Sequence, residues 1–163
     1  NQTPTGLFIQ NGKELVKINI NDAFGNFFLK PNGVFLIEKN GTASVMNTNK
    51  FIKYRDFLRI EYATQSGPML VIDGKIHSSF VETSTNFNIR NGVGIDNEGR
   101  VIFLISRKPV NFYTFASIFK EHFNCANALY LDGAISNAFI YQFHMRYNIG
   151  FGSLLITNNH IAI

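Results

Sequence analysis

The chain has no tryptophan, one cysteine and four prolines among its 163 residues. A single cysteine, Cys125, excludes an internal disulfide, and the four histidines, His77, His122, His144 and His160, share no metal-like spacing with it or with each other. The flanks Phe123-Asn124-Cys125-Ala126 read as a small buried residue at a helix-to-strand junction. His122 would diverge from the thiol at a helix end, so an inert, packed cysteine is expected. No apolar stretch reaches the roughly 18 to 20 residues of a membrane-spanning helix. The opening Asn1-Gln2-Thr3-Pro4-Thr5-Gly6 has neither the basic start nor the apolar middle of a signal peptide. The chain therefore reads as soluble, which fits both an intracellular protein and a processed secreted one. Also missing is any run of one charge: 15 basic and 11 acidic side chains give +4, but they are scattered. The nearest approach to a nucleic-acid face is the base–aromatic alternation between Lys50 and Arg59. Within it Lys53-Tyr54-Arg55-Asp56-Phe57-Leu58-Arg59 reads as a solvated surface segment leading into a strand, so no nucleic-acid partner is expected. The Gly-x-Ser-x-Gly elbow is absent as well, which removes Ser66 as a nucleophile of that type.

What is present is apolar and aromatic. Hydrophobic residues make up 45% of the chain, with 17 phenylalanines and 6 tyrosines, enough to build one well-packed domain whose core is filled by rings. Short strands are expected at Gly6 to Ile9, Glu14 to Asn19, Phe27 to Lys30, Gly33 to Glu38, Ala43 to Met46 and Phe57 to Thr64. Further strands are expected at Met69 to Ile72, Lys75 to Ile76, Val93 to Asp96, Val101 to Ser106 and Ser153 to Ile156. Turn pairs such as Asn11-Gly12, Asn40-Gly41 and Asp73-Gly74 separate them, which implies a mostly antiparallel sheet. Asn111 can cap an amphipathic helix over about 112–123, with Phe112, Phe115, Ala116, Phe119 and Phe123 on one face packed on that sheet. A second helix is expected at Ser136 to Tyr141. The pattern is α+β, with no internal repeat or linker.

The most informative stretch is Leu129-Tyr130-Leu131-Asp132-Gly133-Ala134-Ile135-Ser136. It sets a carboxylate and a flexible glycine after a short apolar, aromatic strand, and strand ends are where ligands bind in mixed α/β folds. The competing reading of Asp132 is a turn aspartate holding its own loop. Arg90 stands before Asn91-Gly92-Val93-Gly94 and suits a fork for phosphate or carboxylate, or an ordinary surface arginine beside an ordinary turn. Gln65-Ser66-Gly67-Pro68 offers an amide and a hydroxyl to a cleft, or is merely a turn. The bend Gly25 to Gly33 presents Asn26, Lys30 and Asn32. Asp132 with neighbouring asparagines supplies oxygen ligands, yet no loop has the spacing of a calcium site, and neither metal nor cofactor is assigned.

Three blocks together, Ala63-Thr64-Gln65-Ser66-Gly67-Pro68-Met69-Leu70-Val71-Ile72-Asp73-Gly74-Lys75, Arg90-Asn91-Gly92-Val93-Gly94-Ile95-Asp96 and Ala128-Leu129-Tyr130-Leu131-Asp132-Gly133, resemble the phosphodiester glycosidase family. That family includes the N-acetylglucosamine-1-phosphodiester α-N-acetylglucosaminidases. The stretches Gly25 to Phe35 and Val110-Asn111-Phe112-Tyr113 resemble its bacterial, exopolysaccharide-related branch. The resemblance covers nearly the whole chain in order. It implies one domain of this type over residues 1–163, exported to the periplasm or secreted, and hydrolysis of a sugar-1-phosphodiester in envelope or extracellular glycan.

On the same resemblance Arg90 would hold the phosphate and Asp132 would act as acid, base or electrostatic stabiliser. Gln65, Ser66 and Ser136 would bind sugar or phosphate oxygens, Gly67 and Gly133 would admit close backbone approach, and Asn26, Lys30 and Asn91 complete the expected substrate site. Two departures stand out. Relatives carry an Asn-Gly or Ala-Gly element just before the stretch matching Thr3-Pro4-Thr5-Gly6-Leu7, which implies that an N-terminal part is missing here. Where they read Asp-Gly-Gly or Asp-Gly-Thr, this chain has Asp132-Gly133-Ala134. The competing functions are a glycan-binding domain without turnover and an envelope assembly domain; the residues do not fix the oligomeric state.

Overall fold

The structure is a computed structural model and describes residues 4–131 and 153–156. Turn chemistry and alternation build two antiparallel sheets. The first comprises β1 (Phe8–Gln10), β2 (Lys13–Val16), β3 (Gly33–Glu38), β4 (Ala43–Asn47) and β5 (Ile60–Ser66), in the order β2-β1-β5-β3-β4. The second comprises β6 (Met69–Ile72), β7 (Lys75–Ile76), β8 (Asn91–Ile95), β9 (Val101–Ser106), β10 (Asn127–Tyr130) and β11 (Ser153–Ile156), in the order β11-β9-β8-β10-β6-β7. Two hairpins are closed by paired left-handed residues, Asn11 (φ 52°) with Gly12 (φ 72°) and Asp73 (φ 46°) with Gly74 (φ 77°). This is the turn whose twist matches the flanking strands. The fold is α+β and mostly antiparallel sheet, as expected.

Alternation along the strands sorts the core into three layers. Val34 and Leu36 of β3 face outward with Leu7, Ile9 and Ala63 onto Phe51 of α1 (Thr48–Tyr54). Phe35 faces inward with Val45, Met69, Val93, Phe103 and Leu129, the seam where the two sheets meet. Ile102, Leu104, Ala128 and Tyr130 face the opposite way, onto Phe115, Ala116 and Phe119. A bulge in β6 sets Met69 opposite Leu129 and Val71 opposite Ala128, so that Leu70 and Val71 both reach this third layer.

The main helix begins where expected. Asn111 Oδ1 accepts from Thr114 N at 2.8 Å, and α2 (Phe112–Ser117) continues as a π turn over Ile118–His122. Two segments differ from the sequence reading. Asn26–Phe28 is a 3₁₀ turn and not part of a strand at Phe27 to Lys30, because Phe28 N and Leu29 N bond back to Gly25 O and Asn26 O. The region read as a solvated lead into a strand is α1 followed by a 3₁₀ turn at Arg55–Phe57, and β5 starts only at Ile60. Asn47 caps α1 by accepting from Lys50 N, and burial of Phe51 holds the helix on β3. Ser153–Ile156 is a strand paired with β9, as expected; the helix expected at Ser136 to Tyr141 lies outside the described residues.

Gly92 and Gly94 are packing residues. A Cβ on Gly94 would stand 2.8 Å from both Phe119 and Cys125 Sγ, and one on Gly92 would stand 2.8 Å from Leu129 O. These glycines let the helix lie directly on the sheet, and the room they leave is taken by protein. Cys125 is buried there, and burial, with the Asp96 charge adding to it, pushes its thiol up to about 12. It is inert, as its flanks suggested.

The connection between β7 and β8, residues 77–90, carries no helix or strand beyond the single Asn88–Val110 bridge. Buried side chains hold it down. Asn111 Nδ2 donates to Glu82 O at 2.9 Å and Ser84 O at 3.0 Å. Arg90 donates from Nε to Val110 O at 2.8 Å and from Nη2 to Asn86 O at 2.9 Å. At the loop's start His77 is 3% exposed and stacks on Phe80, which stacks on Phe112. His77 Nδ1 accepts from Ser79 N at 3.1 Å, which leaves Nε2–H to donate to Lys30 O at 3.0 Å. The bond accepted at Nδ1 requires the neutral ring, whereas the bond donated to Lys30 O survives protonation.

Two outcomes follow from this packing. Replacing Gly94 by alanine forces Phe119 or the helix outward and lowers stability by about 1–3 kcal/mol, measured by denaturant unfolding against wild type. Burial lowers the pKa of His77 below its ordinary value of about 6.5, only partly offset by its bond to Lys30 O. The unfolded chain therefore binds this proton first, so the His77 contribution to stability is whole above about pH 6.5 and is lost as pH falls toward the lowered folded value. Melting temperature should drop between pH 7 and pH 5 more steeply in wild type than in His77→Gln; parallel curves would remove His77 as the source.

Candidate functional site

A cleft of about 420 Å³ opens where the bend after β2 meets the start of α1, lined by Ile20, Lys30, Pro31, Asn32, Thr48 and Asn49. Its floor is built by buried polar side chains in one directional series. Gln65 Nε2 donates to Thr48 Oγ1 at 3.3 Å, Thr48 Oγ1 donates to Asn32 Oδ1 at 2.7 Å, and Asn32 Nδ2 donates to Phe27 O at 3.1 Å. Thr48 N also donates to Asn32 O at 3.0 Å, so the bend and the helix start are fixed to each other. Sequence reading presented Asn32 on the 25–33 bend and had no sign of Thr48. The signal was the pairing of an Asn bend with an Asn-Thr helix start, which only the fold brings together.

The cleft adjoins the exit of β10. Met69 at the head of β6 donates to Pro31 O at 2.9 Å on one side, and it stands opposite Leu129 of β10 on the other. Tyr130 N donates to Pro68 O at 3.0 Å and Leu131 N to Asn91 O at 3.2 Å. The chain thus leaves β10 between the Gly67-Pro68 loop and the first residue of β8. Asp132, Gly133 and Ser136 follow and lie outside the described residues.

The remaining expected site residues divide into framework and surface. Gln65 is 6% exposed, and its amide is fully engaged: Oε1 accepts from Leu7 N at 3.0 Å and Asn19 N at 2.9 Å, while Nε2 donates to Asn19 O at 2.7 Å. Ser66 is buried opposite Gly33. The room left by Gly67 is filled, since a Cβ there would stand 2.6 Å from Phe27 O and 2.7 Å from Asn32 Cβ. Asn91 is half-buried at the start of β8, one residue from Arg90 and bonded through its carbonyl to Leu131. Asn26 and Lys30 are exposed on the bend.

Arg90 has the most unusual setting. It is 1% exposed, its guanidinium carbon lies 3.5 Å from the Phe112 ring centroid and 5.9 Å from that of Tyr130, and its donors go to loop carbonyls. Burial lowers its pKa, with Tyr130 opposing that shift, and the group stays charged. No carboxylate pairs with it among the described residues. Three rings, Phe112, Phe80 and His77, separate it from the Lys30 carbonyl. The structure thus brings Lys30, Asn32 and Thr48 together at the cleft and holds Arg90 apart from it, beneath the 77–90 loop.

Among the described residues no cluster of three His, Cys, Asp or Glu is placed to hold a metal ion, and no helix is long and apolar enough to cross a membrane.

Comparison with known proteins agrees with this architecture. The Uncharacterized protein YigE of Escherichia coli (strain K12) is 38% identical over 137 residues, covering 84% of this chain; the chain spans only 52% of that relative's length. Among solved structures, the fold is similar to the zebrafish N-acetylglucosamine-1-phosphodiester alpha-N-acetylglucosaminidase catalytic domain auto-inhibited by pro-peptide. The TM-score is 0.51 at 20% identity, covering 78% of this chain and 45% of that one. The model of the phosphodiester glycosidase family matches residues 1–162. With that match running along virtually its whole length, the chain belongs to the phosphodiester glycosidase family.

Proposed function

We propose that this protein hydrolyses a sugar-1-phosphodiester, releasing free sugar and a phosphate monoester, in cell-envelope or extracellular glycan, and that it works in the periplasm or outside the cell. The family match over residues 1–162 carries this reading. The zebrafish enzyme's name, a phosphodiester α-N-acetylglucosaminidase, supports the substrate class.

Water oxygen bonds to the anomeric carbon as the bond from that carbon to the phosphate oxygen breaks. The departing phosphate takes the electron pair, and one proton passes from water to a base. The leaving group is already an anion of an acidic phosphate, so protonating it contributes little. Catalysis then depends on stabilising the cation-like sugar and on aiming the water. Asp132, which follows β10 in the sequence, is assigned to that task, as base or as electrostatic stabiliser. Asn91, Ser66, Gly133 and Ser136 are assigned to binding the substrate around it. Gln65 contributes by fixing the cleft floor, and Arg90 by fixing the 77–90 loop behind Tyr130.

Turnover of a panel of sugar-1-phosphodiesters, UDP-sugars included, by the full-length protein tests the reading. Release of free sugar is expected, falling about 10²–10⁴-fold in Asp132→Asn with binding kept, the range of a lost acid–base group. Binding with no release by wild type would leave a glycan-binding domain; neither binding nor release would leave an assembly domain.

A further inference from the structure

Residues 17–25 form a strap without helix or strand, and its Ile20 lines the cleft. One end is firmly anchored. Asn19 bonds to Gln65 through both backbone groups, donates from Nδ2 to Thr5 O at 2.8 Å, and accepts from Asn21 N at 3.0 Å. Beyond Asn19 one side chain among the described residues bonds the strap to the body. Lys30 Nζ donates to Ile20 O at 3.1 Å and pairs with Asp22 Oδ1. The Asp22 side chain is 87% exposed, Ile20 is 61% exposed although it lines the cleft, and Phe24 is fully exposed. Lys30 is the one cation lining this cleft among the described residues, while the other cation expected to meet phosphate, Arg90, is buried and bonded through Nε and Nη2 to the Val110 and Asn86 carbonyls.

We propose that Lys30 is the phosphate-binding residue of the cleft, and that Asp22 occupies its place on Lys30 until a phosphodiester displaces it, so that the strap gates the site. This rests on the reading of the protein as a phosphodiester glycosidase. An exposed ion pair of this kind contributes only about 0.2–1 kcal/mol, so a phosphodiester, which matches the carboxylate's charge and brings further acceptor oxygens for the rest of the cleft, competes with Asp22 readily. Exchange frees the strap from Ile20 onward while Asn19 stays bonded to Gln65, so the hinge lies between those two residues. The departing carboxylate returns to water at almost no cost because it is already hydrated. The Lys30 backbone does not move with it, since its carbonyl is held by His77 and the following Pro31 O by Met69 N.

The test is titration calorimetry of the full-length protein with UDP-N-acetylglucosamine and, separately, inorganic phosphate, beside sugar-release assays of the same samples. Lys30→Gln should weaken both ligands about tenfold or more, the scale of a lost charge-assisted bond. Asp22→Asn should tighten both by about two- to fivefold, the release of a surface ion pair. Lys120→Gln on the far helix serves as the control and should change neither. Both tested side chains are solvent-exposed, so melting curves within a degree or two of wild type are expected for each. Unchanged affinity in Lys30→Gln, or weaker binding in Asp22→Asn, overturns the proposal. If Lys30→Gln loses phosphate affinity while wild type releases no sugar, the anion site stands and the glycosidase reading falls. If sugar is released by Lys30→Gln at the wild-type rate and KM, the glycosidase stands and this site falls.

Discussion

A primary amide sealed between strands must find partners for all its donors and acceptors, and Gln65 does so by reaching in two directions at once. Toward the N-terminal side it extends the β1–β5 pairing beyond β1, bonding Leu7 and both backbone groups of Asn19. Toward the other side it starts the donor series through Thr48 and Asn32 that ends on the Phe27 carbonyl. Each hydroxyl and amide in the series has one remaining orientation once Gln65 is fixed. The cleft floor, the start of α1 and the anchored end of the strap are therefore a single cooperative unit. Removing the amide would strand several buried groups together, a larger loss than one hydrogen bond.

Short-range turn chemistry made much of the sheet legible. Asn11-Gly12 and Asp73-Gly74 adopt the left-handed pair that their side chains favour, and β3, β6, β7, β9 and β11 have the bounds that alternation marked. Asn111 announced α2 through its cap and its phenylalanine spacing. α1 was hidden because it has one buried ring, Phe51, and no second apolar turn to give it a period. The 26–30 bend was hidden for the opposite reason: Phe27 and Phe28 look like strand residues, but they meet each other edge to face, with centroids 4.9 Å apart across a tight turn.

The site was legible as a set of segments and not as a set of roles. The three blocks that carried the family resemblance do converge, since β5, β6, β8 and β10 meet around Pro68, Asn91 and Tyr130. What sequence cannot disclose is which polar side chain faces protein and which faces water. Arg90 precedes a small-residue strand and was open to either reading. It is the glycines after it that let Phe115 and Phe119 close over β8, and the loop ahead of it that covers its guanidinium. Gln65 and Gly67 likewise contribute to the cleft by being occupied. Lys30 differs only because its backbone is held by His77 while its Nζ is left to solvent and to Asp22.

The pins on the 77–90 connection share one property. Asn111 and Arg90 grip Glu82, Ser84, Asn86 and Val110 chiefly by their carbonyl oxygens. A clamp that reads the main chain is indifferent to what the main chain carries. The outward side chains of this segment, Val81 and Phe87 among them, can be rewritten almost freely without loosening it. Its path is thus set by backbone contacts, and its outward face is left to solvent.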